Sequence, residues 1–259
     1  MKALKSLLVV VYYLVVQTIV CVGLIIWKIA SDPAWVDRLL ESQGFSDNVA
    51  LTSELVLPAI IIADLVILIP LLFKSKFSAF KKVGFIDAMD CVMLGLFCNL
   101  VISYVVTKLE TLPIADSYNE LMDLSLSGNA FLTILSAGIL APLVEELCFR
   151  YWMFDIAKGK SETYKIIVSA LMFGLAHFNV IQSTYAFIMG LVLGYVYSKT
   201  KNLWCSILIH FAMNMSSVLL EVLPLGGQYF VDVLFLVSII YIPWTILKKK
   251  NILVRQEFC

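Results

Sequence analysis

Long, nearly uninterrupted apolar stretches leave this chain little choice of fold. A helix that crosses a bilayer needs about 20 predominantly apolar residues, and it must bond its own backbone because lipid offers N–H and C=O groups no partner. Eight such stretches are read, at 6–28, 50–73, 86–107, 131–153, 164–181, 183–198, 203–221 and 229–247. The predicted fold is all-α, a polytopic membrane protein of about eight transmembrane helices forming a single domain over 1–259. Composition closes off the alternative: 61% of the residues are hydrophobic and the mean hydropathy is +0.94, beyond the roughly 45–50% apolar content of a soluble domain. A soluble globular protein is excluded. The expected surroundings are a lipid bilayer, with no nucleic acid as partner.

Charge distribution supplies an orientation. Charged residues are only 15% of the chain and bunch between the apolar stretches. With the N-terminus inside and loops alternating, Lys2, Lys5, Lys74, Lys76, Lys81, Lys82, Arg150, Lys158, Lys160, Lys165, Lys199, Lys201, Lys248, Lys249, Lys250 and Arg255 fall inside, sixteen of the nineteen basic residues. Lys28, Arg38 and Lys108 fall outside, where Asp32, Asp37, Glu41, Asp47, Glu110, Asp116, Glu120 and Asp123 collect. Cytoplasmic loops carry the excess of Lys and Arg, so the expectation is eight spans with both termini cytoplasmic, in a bacterial plasma membrane.

The first stretch follows Lys2 and Lys5 as a signal peptide would, but it is longer than the apolar region of a signal and no A-x-A cleavage site follows it. It reads as an uncleaved anchor. Cys21 follows Val20, where a lipoprotein signal has a small residue, and Cys259 is the last residue, so it is not the prenylated Cys of a C-a-a-X tail. Cys21, Cys91, Cys98, Cys148, Cys205 and Cys259 contain no C-x-x-C pair and read as small buried hydrophobes.

Ionisable groups at membrane depth cost at least ~2.5–3.5 kcal/mol each, so a group of them calls for mutual pairing, a water-filled cavity, or both. The stretch 131–220 gathers such groups and reads as the functional core. Glu146 and Arg150 are four residues apart and share a helix face, ready to form an ion pair, while Glu145 projects about a quarter-turn away. That geometry leaves Glu145 available for general-base work and gives Glu146 and Arg150 a structural reading. Pro142 removes a hydrogen bond to the carbonyl of Gly138 and is expected to kink the helix. His177 and His210, the only histidines, lie in later apolar stretches, with Phe173 and Asn214 four residues from them. Helical rise places Glu145, His177, His210 and Asn214 roughly 10–20 Å from the cytoplasmic ends of their helices, a depth at which they could meet. Gly190 and Gly194 form a G-x-x-x-G that permits close helix packing. Asp64, Glu54, Asp90 and Asp232 have no partner legible in the sequence, and the first three stretches stand out only for Asp64 and Asn99.

These residues form three motifs in order: Glu145-Glu146-Leu147-Cys148-Phe149-Arg150, Phe173-Gly174-Leu175-Ala176-His177 and His210-Phe211-Ala212-Met213-Asn214. Over about 131–220 the chain resembles the membrane CAAX-processing and bacteriocin-processing proteases, the Abi or type II CAAX prenyl endopeptidase family, whose motifs read E-E-x-x-x-R, F-x-x-x-H and H-x-x-x-N. Tyr151 departs from the Gly that many relatives carry after the Arg. The resemblance implies an intramembrane endopeptidase. Glu145 would activate water with His177 helping to hold it, His210 and Asn214 would stabilise the oxyanion, and Glu146 with Arg150 would order the site. The implied substrate is a peptide or membrane-anchored protein reached from the membrane or the cytoplasmic side, with bacteriocin maturation, self-immunity or trimming of prenylated C-termini as family roles.

Two histidines and a glutamate are also ligands of zinc peptidases. Glu145, His177 and His210 are therefore the set that would hold zinc, but without H-E-x-x-H the spacing names no metal and no cofactor is expected. Two other readings remain open on the residues: a non-catalytic immunity or scaffold protein on the same fold, and a proton-linked transporter relaying through Asp64 and the glutamates. No internal repeat supports the transporter.

Overall fold

The computed structural model describes residues 2–41, 45–75, 79–109, 118–120, 122, 129–223 and 225–247. Glu110, Asp116, Asp123, Lys76, Lys248, Lys249, Lys250, Arg255 and Cys259, named above for charge or chemistry, lie outside them. All eight apolar stretches are helical: α1 (Lys2–Ser31), α3 (Phe45–Lys74), α4 (Phe85–Leu109), α5 (Ala130–Ile156), α6 (Glu162–Leu175), α7 (Val180–Thr200), α8 (Leu203–Val222) and α9 (Leu225–Leu247). A short amphipathic helix, α2 (Pro33–Glu41), follows α1 and buries Trp35. Among the described residues, six of these helices are long and apolar enough to cross a membrane, and the chain is an integral membrane protein.

The fifth stretch differs from its expected span of 164–181. Its helix stops at Leu175 after 14 residues, about 21 Å of rise, short of the roughly 30 Å hydrocarbon core. The chain turns at Ala176–Asn179, with Phe178 at φ 53°, and the Asn179 side chain accepts from the N–H groups of Ile181 and Gln182 to start α7. His177 therefore sits in the tight corner of a helical hairpin, not along a spanning helix.

α5 and α8 are the most enclosed spans and α1 the most lipid-facing. Leu4, Leu8, Val11, Val15, Ile19 and Ile26 form an exposed stripe on α1, while Val9, Val10 and Tyr13 face inward. α1 packs on α3, α6 on α7, and α4 on both α8 and α9. Two glycines set the closest approaches: a Cβ at Gly190 would lie 2.7 Å from the Ala170 Cα, and one at Gly95 would lie 2.4 Å from the Ile209 carbonyl oxygen. Asp90, without a legible partner in the sequence, accepts from the Tyr241 hydroxyl at 2.6 Å and ties α4 to α9. The five described cysteines are free thiols, with Cys91, Cys148 and Cys205 buried.

At the lysine-rich end, Glu162 joins α6 to α7 and the turn beyond it through Lys165 at 2.6 Å, Ser198 at 2.7 Å and Lys201 at 2.7 Å. Partial burial raises the Glu162 carboxyl, but these three hydrogen bonds outweigh it and hold the group down at about 2. Nearby, Asn202 starts α8 by accepting from the Trp204 N–H. It also bonds both backbone groups of Lys81, closing the loop before α4 onto the bundle.

Candidate active site

Local backbone geometry in α5 prepares the site. Ile134–Leu140 and Leu147–Trp152 are π-helical, and the Ala141 N–H bonds the Ser136 carbonyl five residues back. Such wide turns are frequent at functional sites. In that register the residue at 142 would donate to Ala137, but it is Pro142 and has no N–H. The freed Ala137 carbonyl is taken by the Asn214 side-chain amide at 3.0 Å. The expected break at the Gly138 carbonyl is thus moved by one residue. One of the two Asn214 amide protons is committed to repairing the backbone, leaving the other.

Glu146 and Arg150 pair as the spacing predicts, Nε to Oε2 at 3.1 Å with both side chains wholly buried. The contact is close but is not aligned as a hydrogen bond, so it is read as ionic. Arg150 also donates to the Ser169 hydroxyl at 3.1 Å, and Ser169 donates in turn to the Phe149 carbonyl at 2.6 Å. The guanidinium lies 4.7 Å over the Phe173 ring, a cation–π arrangement. Phe173 further packs edge-on against His177 and His210, at centroid distances of 5.1 and 5.7 Å. One aromatic ring thereby holds an arginine and both histidines in register.

The other Glu146 oxygen extends its role. His210 Nδ1 donates to Oε1 at 3.0 Å, which leaves Nε2 pointing to Glu145 Oε2 at 3.6 Å. That gap is too long for a direct hydrogen bond and leaves both atoms open to a third polar group beside them. On its opposite oxygen, Glu145 accepts from the Tyr13 hydroxyl of α1 at 3.2 Å. His177 sets its Nδ1 against the Phe173 carbonyl at 2.8 Å. A carbonyl only accepts, so Nδ1 carries the proton and Nε2 of the neutral ring is an acceptor.

Glu145, His177, His210 and Asn214 line one cavity of about 630 Å³. A smaller one of about 170 Å³ also borders Glu145 and His177. The structure therefore brings Glu145, Glu146, Arg150, Phe173 and His210 into contact and places His177 and Asn214 on the same cavity wall. Among the described residues no three His, Cys, Asp or Glu side chains are grouped to hold a metal ion. Sequence reasoning missed Tyr13, which carries no signal among the apolar residues of α1, Gln17, whose polarity inside that stretch was the available signal, and Ser169 as the Arg150 partner. Asp64 and Asn99, whose only sequence signal was polarity inside an apolar stretch, both line the large cavity. Neither Asp64 oxygen makes a well-aligned hydrogen bond, although the Gln17 amide is near enough to interact with it.

Comparison with known proteins agrees with the motifs. Residues 127–216 match the model of the type II CAAX prenyl endopeptidase Rce1-like family. A protein of Bacillus subtilis (strain 168) named "Putative membrane peptidase YdiL" is 28% identical over 94 residues, 36% of this chain and 38% of that protein. The part matched to that protein is thus well under half of each chain, and the family match over 127–216 spans all three motifs. No solved structure matches.

Proposed function

From the premise that residues 127–216 resemble the Rce1-like type II CAAX prenyl endopeptidases, we propose that this chain is an intramembrane endopeptidase that activates water with Glu145. The supporting observation is the run Arg150–Glu146–His210–Glu145, in which each member orients the next and the last faces the cavity. Water held beside His210 Nε2 and Glu145 Oε2 gives a proton to the carboxylate as its oxygen attacks the peptide carbonyl. The same proton then passes to the departing amine. Glu146 fixes the His210 tautomer, much as an orienting carboxylate fixes the base in other hydrolases. The free amide proton of Asn214 is a donor for the oxyanion, a role worth about 2.7–4 kcal/mol per donor in measured cases, with His210 beside it on the same cavity. His177 Nε2, an acceptor, suits holding the attacking water. We place the chain in a bacterial plasma membrane, and the lysine distribution supports both termini being cytoplasmic.

The test is cleavage of quenched fluorescent peptides by the purified full-length protein in lipid vesicles. Glu145→Gln should lower kcat by at least about 100-fold, the lower range for loss of a general base. His177→Ala should lower it less while leaving the folded fraction unchanged. Cleavage at the unmodified rate by both variants refutes the assignment.

A further inference from the structure

Asp64 is an ionisable group that the proposed mechanism does not use. It lies in the middle of α3, on a face otherwise made of Leu57, Ala63, Ile67 and Leu71, and its side chain is wholly enclosed. That face packs on α1 and on α5. A carboxyl group at membrane depth carries an insertion penalty that an apolar side chain there would not, so it calls for a partner and a role. No cation supplies the partner. Among the described residues that line the large cavity with Asp64 there is no lysine or arginine, and Arg150 is committed to Glu146 and Ser169.

The polar groups nearest to it come from α1. Tyr13 and Gln17 are one turn apart on the same side of that helix, and both border the two cavities beside Glu145. The Tyr13 hydroxyl has one proton and gives it to Glu145 Oε1 at 3.2 Å. The Gln17 amide has two protons and three side-chain torsions with which to aim them. It lies near enough to Asp64 to interact with it, although neither enclosed oxygen makes a well-aligned hydrogen bond. Two donors of α1 thus meet two carboxyl groups, one on α3 and one on α5.

α1 has need of such a contact. It is the most lipid-facing span, with Leu8, Val11, Val15 and Ile19 exposed on its outer side. Val9, Val10 and Tyr13 pack with Ile67 and Leu71 of α3, but lipid tails are as apolar as leucine, so apolar contact alone does little to fix how a helix is turned about its axis. A polar contact one turn beyond Tyr13 does fix it. Any rotation of α1 would carry the Tyr13 hydroxyl away from Glu145.

Resting on the endopeptidase reading, we propose that Asp64 is a positioning residue for the general base: by engaging the Gln17 amide it sets the rotation of α1, holds the Tyr13 hydroxyl on Glu145 Oε1 and leaves Oε2 to the attacking water. Asp64 meets neither substrate nor water. It acts as an acceptor and not through its charge.

Substitutions separate acceptor from charge. In Asp64→Asn the side-chain carbonyl still accepts from Gln17, whereas Asp64→Leu has the same branched shape and no acceptor. In the vesicle peptide assay Asp64→Leu should lower kcat about tenfold, the scale of one lost hydrogen bond to a charged group, with KM little changed. Asp64→Asn should restore kcat to within about threefold of the unmodified protein. Gln17→Met, at a half-buried position, should match Asp64→Leu without altering the packing of α3. On a Tyr13→Phe background either change should lower kcat less than about twofold, because the contact it positions is already gone; a merely structural role would act on both backgrounds alike. A second readout needs no catalysis: 3-fluorotyrosine at position 13, followed by fluorine NMR, reports the hydroxyl contact. Its resonance should move in Glu145→Gln and in Asp64→Leu, and stay closer to the unmodified position in Asp64→Asn. Equal displacement in Asp64→Leu and Asp64→Asn, kcat of Gln17→Met within about threefold of the unmodified protein, or an undiminished loss on the Tyr13→Phe background overturns the proposal. If the unmodified protein cleaves no peptide, the endopeptidase reading fails, and the fluorine shifts still decide whether Asp64 positions Tyr13.

Discussion

Replacing Arg150 by Met isolates the energetics of the buried ion pair. The guanidinium is wholly enclosed, and its removal deletes the 3.1 Å contact to Glu146, the hydrogen bond to Ser169 and the stacking on Phe173. Met fills much of the same volume, so the main effect is electrostatic: Glu146 is left as a fully buried carboxylate with only His210 to face. Breaking one side of a buried pair costs about 3–5 kcal/mol. For a chain of this size, about 2–4 °C of Tm per kcal/mol predicts a fall of roughly 6–20 °C. The double variant Glu146→Gln/Arg150→Met removes both charges while the Gln carbonyl still accepts from His210 Nδ1. It should recover most of the lost stability, because an apolar or neutral replacement of the whole pair is often nearly neutral. Thermal unfolding in detergent, followed by intrinsic fluorescence over the full cycle of two single variants and the double, measures this directly. A single variant within about 2 °C of the unmodified protein, or a double variant no more stable than Arg150→Met, would show that the pair does not carry the charge balance assigned to it.

Other residues give independent checks. Tyr13→Phe removes the hydrogen bond to Glu145 at 3.2 Å; a bond to a charged acceptor is worth about 1.5–3 kcal/mol, and the expected result is a kcat at least tenfold lower with KM little changed, read in the peptide assay. Glu162 is held below its unfolded value, so its stabilisation is fully present above about pH 4.5 and is lost as pH falls toward about 2. Because the side chain is 46% exposed, solvent screening keeps the effect small, and the Tm difference between the unmodified protein and Glu162→Gln should be present at pH 6 and vanish near pH 2. Gly95→Ala puts a methyl 2.4 Å from the Ile209 carbonyl oxygen, and since backbone must move to admit it, a loss of about 1–3 kcal/mol is expected in the same unfolding assay.

The motif residues were legible because each lies in an apolar stretch where a charged or imidazole group is costly. Spacing within one helix was enough to pair Glu146 with Arg150, a contact between residues four apart. It was not enough to foresee that Glu146 also holds His210, 64 positions away, or that Tyr13 reaches Glu145 from 132 positions away. Pro142 announced a lost hydrogen bond, but the wide turns before it decided which carbonyl was freed, and only the packing of α8 on α5 supplied Asn214 to it. His177 was expected along a helix, and the end of that helix at Leu175 put it in a corner instead.

The apolar stretches by themselves determined an all-α membrane protein and the identity of its polar core, because the bilayer imposes a local rule: every span must bond its own backbone, and every buried charge stands out. Tertiary structure alone decided which polar groups share a cavity. The tyrosine on α1, the aspartate on α3 and the asparagine on α4 come to one cavity with Glu145 through helix packing, and packing depends on the shape of whole faces, which no single stretch of residues encodes.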